Sequence, residues 1–284
     1  MKRRSMYLSL ITLLCVCVTT GALSSTEGLL IYFPFDEGRG DVAMDMSGNN
    51  HHAEIDGARW IDDGKVNGAL EFRGVSKGDI VQVINNNEAG QLGVIEWQAI
   101  TVMAWVYPTG FQTDEERRRW MRIVDTDDFP ARESGFWLGV HGTAATQQAG
   151  PDQTEKRGRV FVGFRPTTWF NTEQTVNLNE WSHVAFTWGL HETRGIMKGF
   201  INGEEDSGKA SFQQTLVTKQ NLAVGGGQGR EPNADESFVG YIDEVAVYQR
   251  SMTADEIASI MDAGTAVEPA DKLITTWSRI KGSY

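Results

Sequence analysis

The chain has 284 residues, with 26 basic against 38 acidic side chains and a net charge of −12. That balance argues against nucleic acid and anionic membrane surfaces as partners, because both require a positive footprint. Hydrophobic residues make up 40% and charged residues 23%, which excludes wholesale disorder; the length sets one large domain or two small ones.

Residues 1–24 read as a signal peptide. Lys2, Arg3 and Arg4 precede an apolar run over 6–18, which is shorter than the ~20 residues of a bilayer span. Small residues follow, and cleavage is expected after Ala22 or Ser24. Export to a secreted, periplasmic or cell-surface location is expected. The chain's two cysteines, Cys15 and Cys17, lie inside this leader. The mature protein is therefore expected to hold together without disulfides, by its core and a metal at most.

From residue 29 onward, period-two apolar runs recur between Gly, Asn, Asp and Pro: 29–35, 69–72, 80–84, 100–107, 120–124, 135–140, 159–164, 181–188, 196–201, 221–224 and 239–248. This many strands require two packed sheets or a barrel. In 181–188, Val184, Phe186 and Trp188 share one face, while His183 and Thr187 share the other, so this strand is expected to be core on one side. Asn202-Gly203 is a type I′ turn signal and predicts a hairpin. Thr253 and Glu256 form a capping box ahead of Ile257, Ile260 and Met261, predicting one helix over 254–262 that Gly264 ends. Three polar loops interrupt the pattern at 109–119, 141–158 and 225–237. Long loops on a sandwich often carry binding function. The charge run 114–119 is read as a solvated loop.

Five motifs follow one another along this framework. They are Tyr32-Phe33-Pro34-Phe35-Asp36-Glu37-Gly38, Asp45-Met46-Ser47-Gly48-Asn49-Asn50-His51-His52, Trp181-Ser182-His183-Val184-Ala185, Phe200-Ile201-Asn202-Gly203-Glu204 and Gly240-Tyr241-Ile242-Asp243-Glu244-Val245-Ala246-Val247-Tyr248. In this order they resemble the laminin-G-like jelly-roll domains of the concanavalin A-like lectin/glucanase superfamily. The resemblance covers residues 27–264, leaves a tail over 265–284 that contains Leu273, Ile274 and Trp277, and implies an all-β, two-sheet antiparallel jelly-roll sandwich with one short C-terminal helix. It also implies that the first and last strands lie side by side, which would bring Asp36 toward Asp243. A structural calcium is then expected at Asp36, Asn50 and Asp243, with Asn50 drawn from the oxygen-rich loop 45–52. The alternative is that both aspartates cap turns through backbone N–H groups.

Nine tryptophans are the main pointer to a ligand, since sugar rings stack on exposed indoles. Trp105, Trp181 and Trp188 read as core positions. Trp137 faces away from Phe136 and Leu138, and Trp169 follows a Pro-Thr-Thr loop; these two are the candidate ligand-binding residues, with packing as the alternative for each. No catalytic residue is expected. Glu54-Ile55-Asp56-Gly57-Ala58-Arg59 begins like the Glu-x-Asp-x-x-Glu strand of the glucanases but ends in Arg59, and retaining hydrolysis needs two carboxyls about 5 Å apart. His51 and His52 are adjacent and not a zinc pair, and Gly225-Gly226-Gly227 lacks the helix of a phosphate cradle. The expected function is a non-catalytic module that binds glycan or a surface. The alternatives are a structural or adhesion module that binds an extracellular protein and, less favoured, a glycoside hydrolase.

Overall fold

Apolar side chains on alternate strand positions meet between two large sheets, and the long central strands are buried on both faces. The computed structural model describes residues 26–263 apart from 75–77, 85–91, 112–119, 128–130, 132, 143–156, 166–167, 192–193, 213–215, 220 and 228–235. The leader, the tail and most of the three long loops lie outside the described residues.

The elements in chain order are β1 (Leu29–Phe33), β2 (Val42–Ala43), β3 (Ala53–Asp56), β4 (Arg59–Ile61), β5 (Ala69–Arg73), β6 (Ile80–Val83), β7 (Ile95–Trp97), β8 (Ala99–Pro108), β9 (Trp120–Asp125), β10 (Phe136–His141), β11 (Arg159–Phe164), β12 (Thr168–Thr175), β13 (Ser182–His191), β14 (Arg194–Ile201), β15 (Glu204–Phe212), β16 (Leu216–Thr218), β17 (Ala223–Val224), β18 (Val239–Tyr248) and α1 (Ala254–Ala263). The first sheet runs β15-β14-β13-β8-β18-β5-β4, with β1 also on β18; the second runs β12-β11-β10-β9-β17-β6-β3-β2. All these pairings are antiparallel. β1 lies against β18, with Tyr32 opposite Ala246 and Phe33 opposite Val245, so the first and last strands are neighbours as the motifs imply.

Between the sheets lie Phe33, Phe136, Phe164, Phe186, Trp188 and their aliphatic neighbours. Full burial of each such side chain contributes about 1.5–3 kcal/mol. One edge is stitched across the sheets: Asp206 of β15 accepts the Glu173 and Gln174 amides of β12 at 2.8 and 2.9 Å. The Asn202-Gly203 turn has φ of 51° and 81°, the left-handed pair a type I′ hairpin requires.

The helix begins at its expected capping box. Glu256 accepts from the Thr253 amide at 2.8 Å, and the Glu256 amide donates to Thr253 Oγ1 at 3.3 Å. Ile257 and Ile260 then pack on Tyr32, Met103, Phe200 and Tyr248 on the outer face of the first sheet. This corrects the one-sided reading of β13. Val184, Phe186 and Trp188 are interior, and His183 and Thr187 on the opposite face are buried as well.

Candidate functional site

The outer face of the second sheet is polar and aromatic. Along β10 the side chains of Phe136, Leu138 and Val140 enter the core, which turns Trp137, Gly139 and His141 outward. Register places Trp137 opposite Gly163 of β11, and Gly163 opposite Trp169 of β12; one step along, Gly139 faces Phe161, and Phe161 faces Asn171. The glycines leave room for the rings. A Cβ at Gly163 would stand 2.1 Å from Trp137 Cε2, and one at Gly139 would stand 2.5 Å from Phe161 Cζ. Each aromatic ring thus lies over a glycine of the neighbouring strand.

Guanidinium groups close over these rings. Arg122 lies 4.8 Å from the Trp137 ring and 5.3 Å from Phe161, and Arg165 lies 5.0 Å from Trp137. Arg122 Nε donates to Glu236 at 2.7 Å, and its Nη1 stands 3.7 Å from Asp125. Burial by itself would lower the Arg122 pKa, but attraction to Glu236 and Asp125 outweighs it and holds the guanidinium above its ordinary value. Arg165 Nε pairs with Asp127 at 2.6 Å. His141 Nε2 and Asn171 Oδ1 are 2.7 Å apart. Asp125, Asp127 and Glu236 are thereby all engaged with arginine.

The two candidate tryptophans part company here. Trp137 is 8% exposed with the Arg122 and Arg165 guanidiniums against its ring, which fits the packing alternative. Trp169 is 57% exposed and lies on edge strand β12, not in a loop. Its neighbours on the same face are Gly163 across the strand and Asn171 two residues on.

The acidic residues cluster elsewhere. Asp36 accepts the Gly68 amide at 3.1 Å and the Asn67 side-chain amide at 3.0 Å, while Asp243 Oδ2 accepts the Lys65 and Val66 amides at 2.9 and 3.0 Å. Both aspartates therefore hold the same 64–68 turn, and Asp243 Oδ1 also accepts the Glu244 amide at 2.8 Å. Asn50 is exposed, with φ of 61°, in a loop organised by Asp45, which accepts from the Tyr32, Ser47 and His51 amides. His52 Nδ1 accepts the Asp45 amide, a turn role. Among the described residues, no three His, Cys, Asp or Glu side chains stand together as a metal site.

As a fit to calcium this arrangement points two ways. The N–H donors are what turn capping requires. Yet burial, with help from Glu244, pushes the Asp243 carboxyl up to about 8, and a hard cation would relieve that penalty. Tyr32, whose hydroxyl donates to Glu244, is raised by burial and by the same charge.

Sequence reasoning missed the outer face of the first sheet. Trp105 is buried, as its strand position implies, but on the outer face and not between the sheets, and Trp181 is half-buried on the same face. Trp105 lies against His183 and under Lys65 Nζ, 4.1 Å from its ring, and Trp181 is half-buried beside Tyr107. The signal was available, since Trp105 alternates with core Ala104 and Val106.

The antiparallel two-sheet sandwich with adjacent end strands is that of a jelly-roll. The chain belongs to the concanavalin A-like lectin/glucanases superfamily, whose laminin-G model matches residues 77–258. No curated protein matches the sequence. Similar solved structures include domain 4 of AbnA, an extracellular arabinanase from Geobacillus stearothermophilus, in complex with arabinotriose. It is 18% identical with a TM-score of 0.54, over 82% of this chain and 98% of that one. The receptor-binding domain of botulinum neurotoxin type G is 11% identical with a TM-score of 0.55, over 84% of this chain and 51% of that one. Trypanosoma rangeli sialidase in complex with sialic acid is 15% identical with a TM-score of 0.56, over 85% of this chain and 34% of that one. These likenesses show the fold. Among the described residues, no helix is long and apolar enough to cross a membrane.

Proposed function

We propose that the chain is a non-catalytic module that binds glycan through the outer face of its second sheet. One observation carries this reading: Trp169 is 57% exposed on an edge strand, in register with Gly163 and Trp137. An exposed indole of this kind offers a sugar ring a stacking plane, and half-buried Asn171, two residues along the strand, supplies a side-chain amide for its hydroxyls. That domain 4 of AbnA is in complex with arabinotriose, and the sialidase with sialic acid, supports sugars as the ligand class. The test is a glycan array probed with the mature domain, with and without calcium. Binding to a family of related glycans is the expected result; absence of binding in both conditions refutes the proposal.

A further inference from the structure

We infer that the protein carries a second carbohydrate-binding surface on the outer face of its first sheet, built on Tyr107, Trp181 and Tyr241, and that it takes a neutral oligosaccharide lying across the strands. The surface does not depend on the Trp169 site, because it belongs to the other sheet.

Register brings one row of side chains across this face. Arg59 of β4 is opposite Glu71 of β5, Glu71 is opposite Tyr241 of β18, and Tyr241 is opposite Tyr107 of β8. Trp181, just before β13, continues the row, its ring 5.5 Å from Tyr107. Tyr107 and Tyr241 stack at 5.4 Å with an interplanar angle of 24°. All three rings are half-buried, with one part packed and one part in water. Strands lie about 4.8 Å apart, so the three rings cover ~10 Å, room for two or three sugar units.

The ligand class follows from what the row holds. From Arg59 to Trp181 it carries no aliphatic side chain, unlike an apolar protein-docking patch. Arg59 and Glu71 cancel, and the chain's −12 charge opposes a polyanion. What remains is amphipathic: ring planes with hydroxyl or N–H edges, matched to a neutral ring that has apolar faces and hydroxyl rims. The next row anchors this one. Asp243, opposite Trp105, accepts the Lys65 amide, and Lys65 then lies over the Trp105 ring. Helix α1 covers the Tyr32, Met103 and Phe200 region of the same sheet.

The test reads each site by its own indole. The ¹⁵N-labelled protein is titrated with cellopentaose, xylopentaose, mannopentaose and arabinotriose while the Trp181 and Trp169 indole N–H signals are followed, Trp181 being assigned by its loss in Trp181→Phe. The expected result is saturable movement of the Trp181 signal with at least one sugar. It should persist in Trp169→Ala and weaken about tenfold in Tyr107→Ala or Tyr241→Ala, each measured below its melting temperature with the rest of the ¹⁵N spectrum unchanged. A stationary Trp181 signal with all four sugars at millimolar concentration overturns the inference. So does a Trp181 signal that moves with protein concentration alone, which would assign the face to a second copy of the chain.

Discussion

Gly163→Ala places the strongest demand on the outer face of the second sheet. The new Cβ would meet Trp137 Cε2 and Cζ2 at 2.1 Å, so the indole must leave its place. It cannot do so freely, because Arg122 and Arg165 hold it at 4.8 and 5.0 Å. Overpacking of this kind costs about 1–3 kcal/mol. Breaking each desolvated cation–π pair adds about 0.5–2 kcal/mol. A total of about 3 kcal/mol corresponds, for a domain of this size, to a melting temperature lower by roughly 6–12 °C. The assay is equilibrium unfolding by urea, followed by tryptophan fluorescence, in a double-mutant cycle with Trp137→Ala. Trp137→Ala itself should cost about 3–5 kcal/mol. In its background the Gly163→Ala cost should nearly vanish, since the clashing atoms are gone, and a gain of up to about 1 kcal/mol is in reach from unfolded-state entropy. Gly110→Ala, whose Cβ would meet only Val239 Cγ1 at 3.5 Å, is the neutral control. Equal costs of Gly163→Ala in both backgrounds would refute the steric reasoning.

Three further outcomes are expected. His183 is buried and its Nδ1 finds no partner, and burial holds its pKa at about 3. The unfolded chain takes up the proton below about 6.5 while the native state does not, so stability falls as pH drops from there toward 3. At pH 5 the loss from this group is about 2 kcal/mol, and His183→Phe should remove that part of the slope in melts at pH 5 and 7. Gly203 has φ of 81° and its Cβ would approach Ala258 Cβ at 3.1 Å, so Gly203→Ala should cost about 1 kcal/mol or more in chemical unfolding. The calcium proposal for Asp36, Asn50 and Asp243 predicts a gain of about 2.7 kcal/mol with free calcium ~100-fold above its dissociation constant, reversed by chelator and weakened in Asp243→Asn. Coincident melting curves would leave the two aspartates as hydrogen-bonded caps.

Much of the framework was legible because alternation is a local signal. Strands β8, β11, β13 and β18 lie where their apolar periods put them, and Thr253 with Glu256 marked the helix start. The polar strands escaped notice for a physical reason. β12 reads TWFNTEQT and β15 reads EEDSGKASF. Both end their sheets, where water can satisfy one flank and few apolar residues are needed. Short strands such as β2, β4 and β7 have too few residues to show a period. Missing β12 also misplaced Trp169 in a loop. The low exposure of Trp137 was illegible for a different reason. Alternation shows which way a side chain points, but not that Arg122 and Arg165 will cover it. Similarly, alternation does not show that on the outer face of the first sheet Trp105 is buried while Trp181 is half-buried.

The most direct measurement of the central claim is the affinity of Trp169→Ala, set beside wild type, for the tightest glycan found on the array, by isothermal titration calorimetry. The account predicts an affinity loss of about 1–3 kcal/mol, roughly a 5–150-fold weaker dissociation constant, with an unchanged melting temperature because the indole is exposed. An unchanged dissociation constant for that glycan would contradict it and remove the second-sheet face as the binding site.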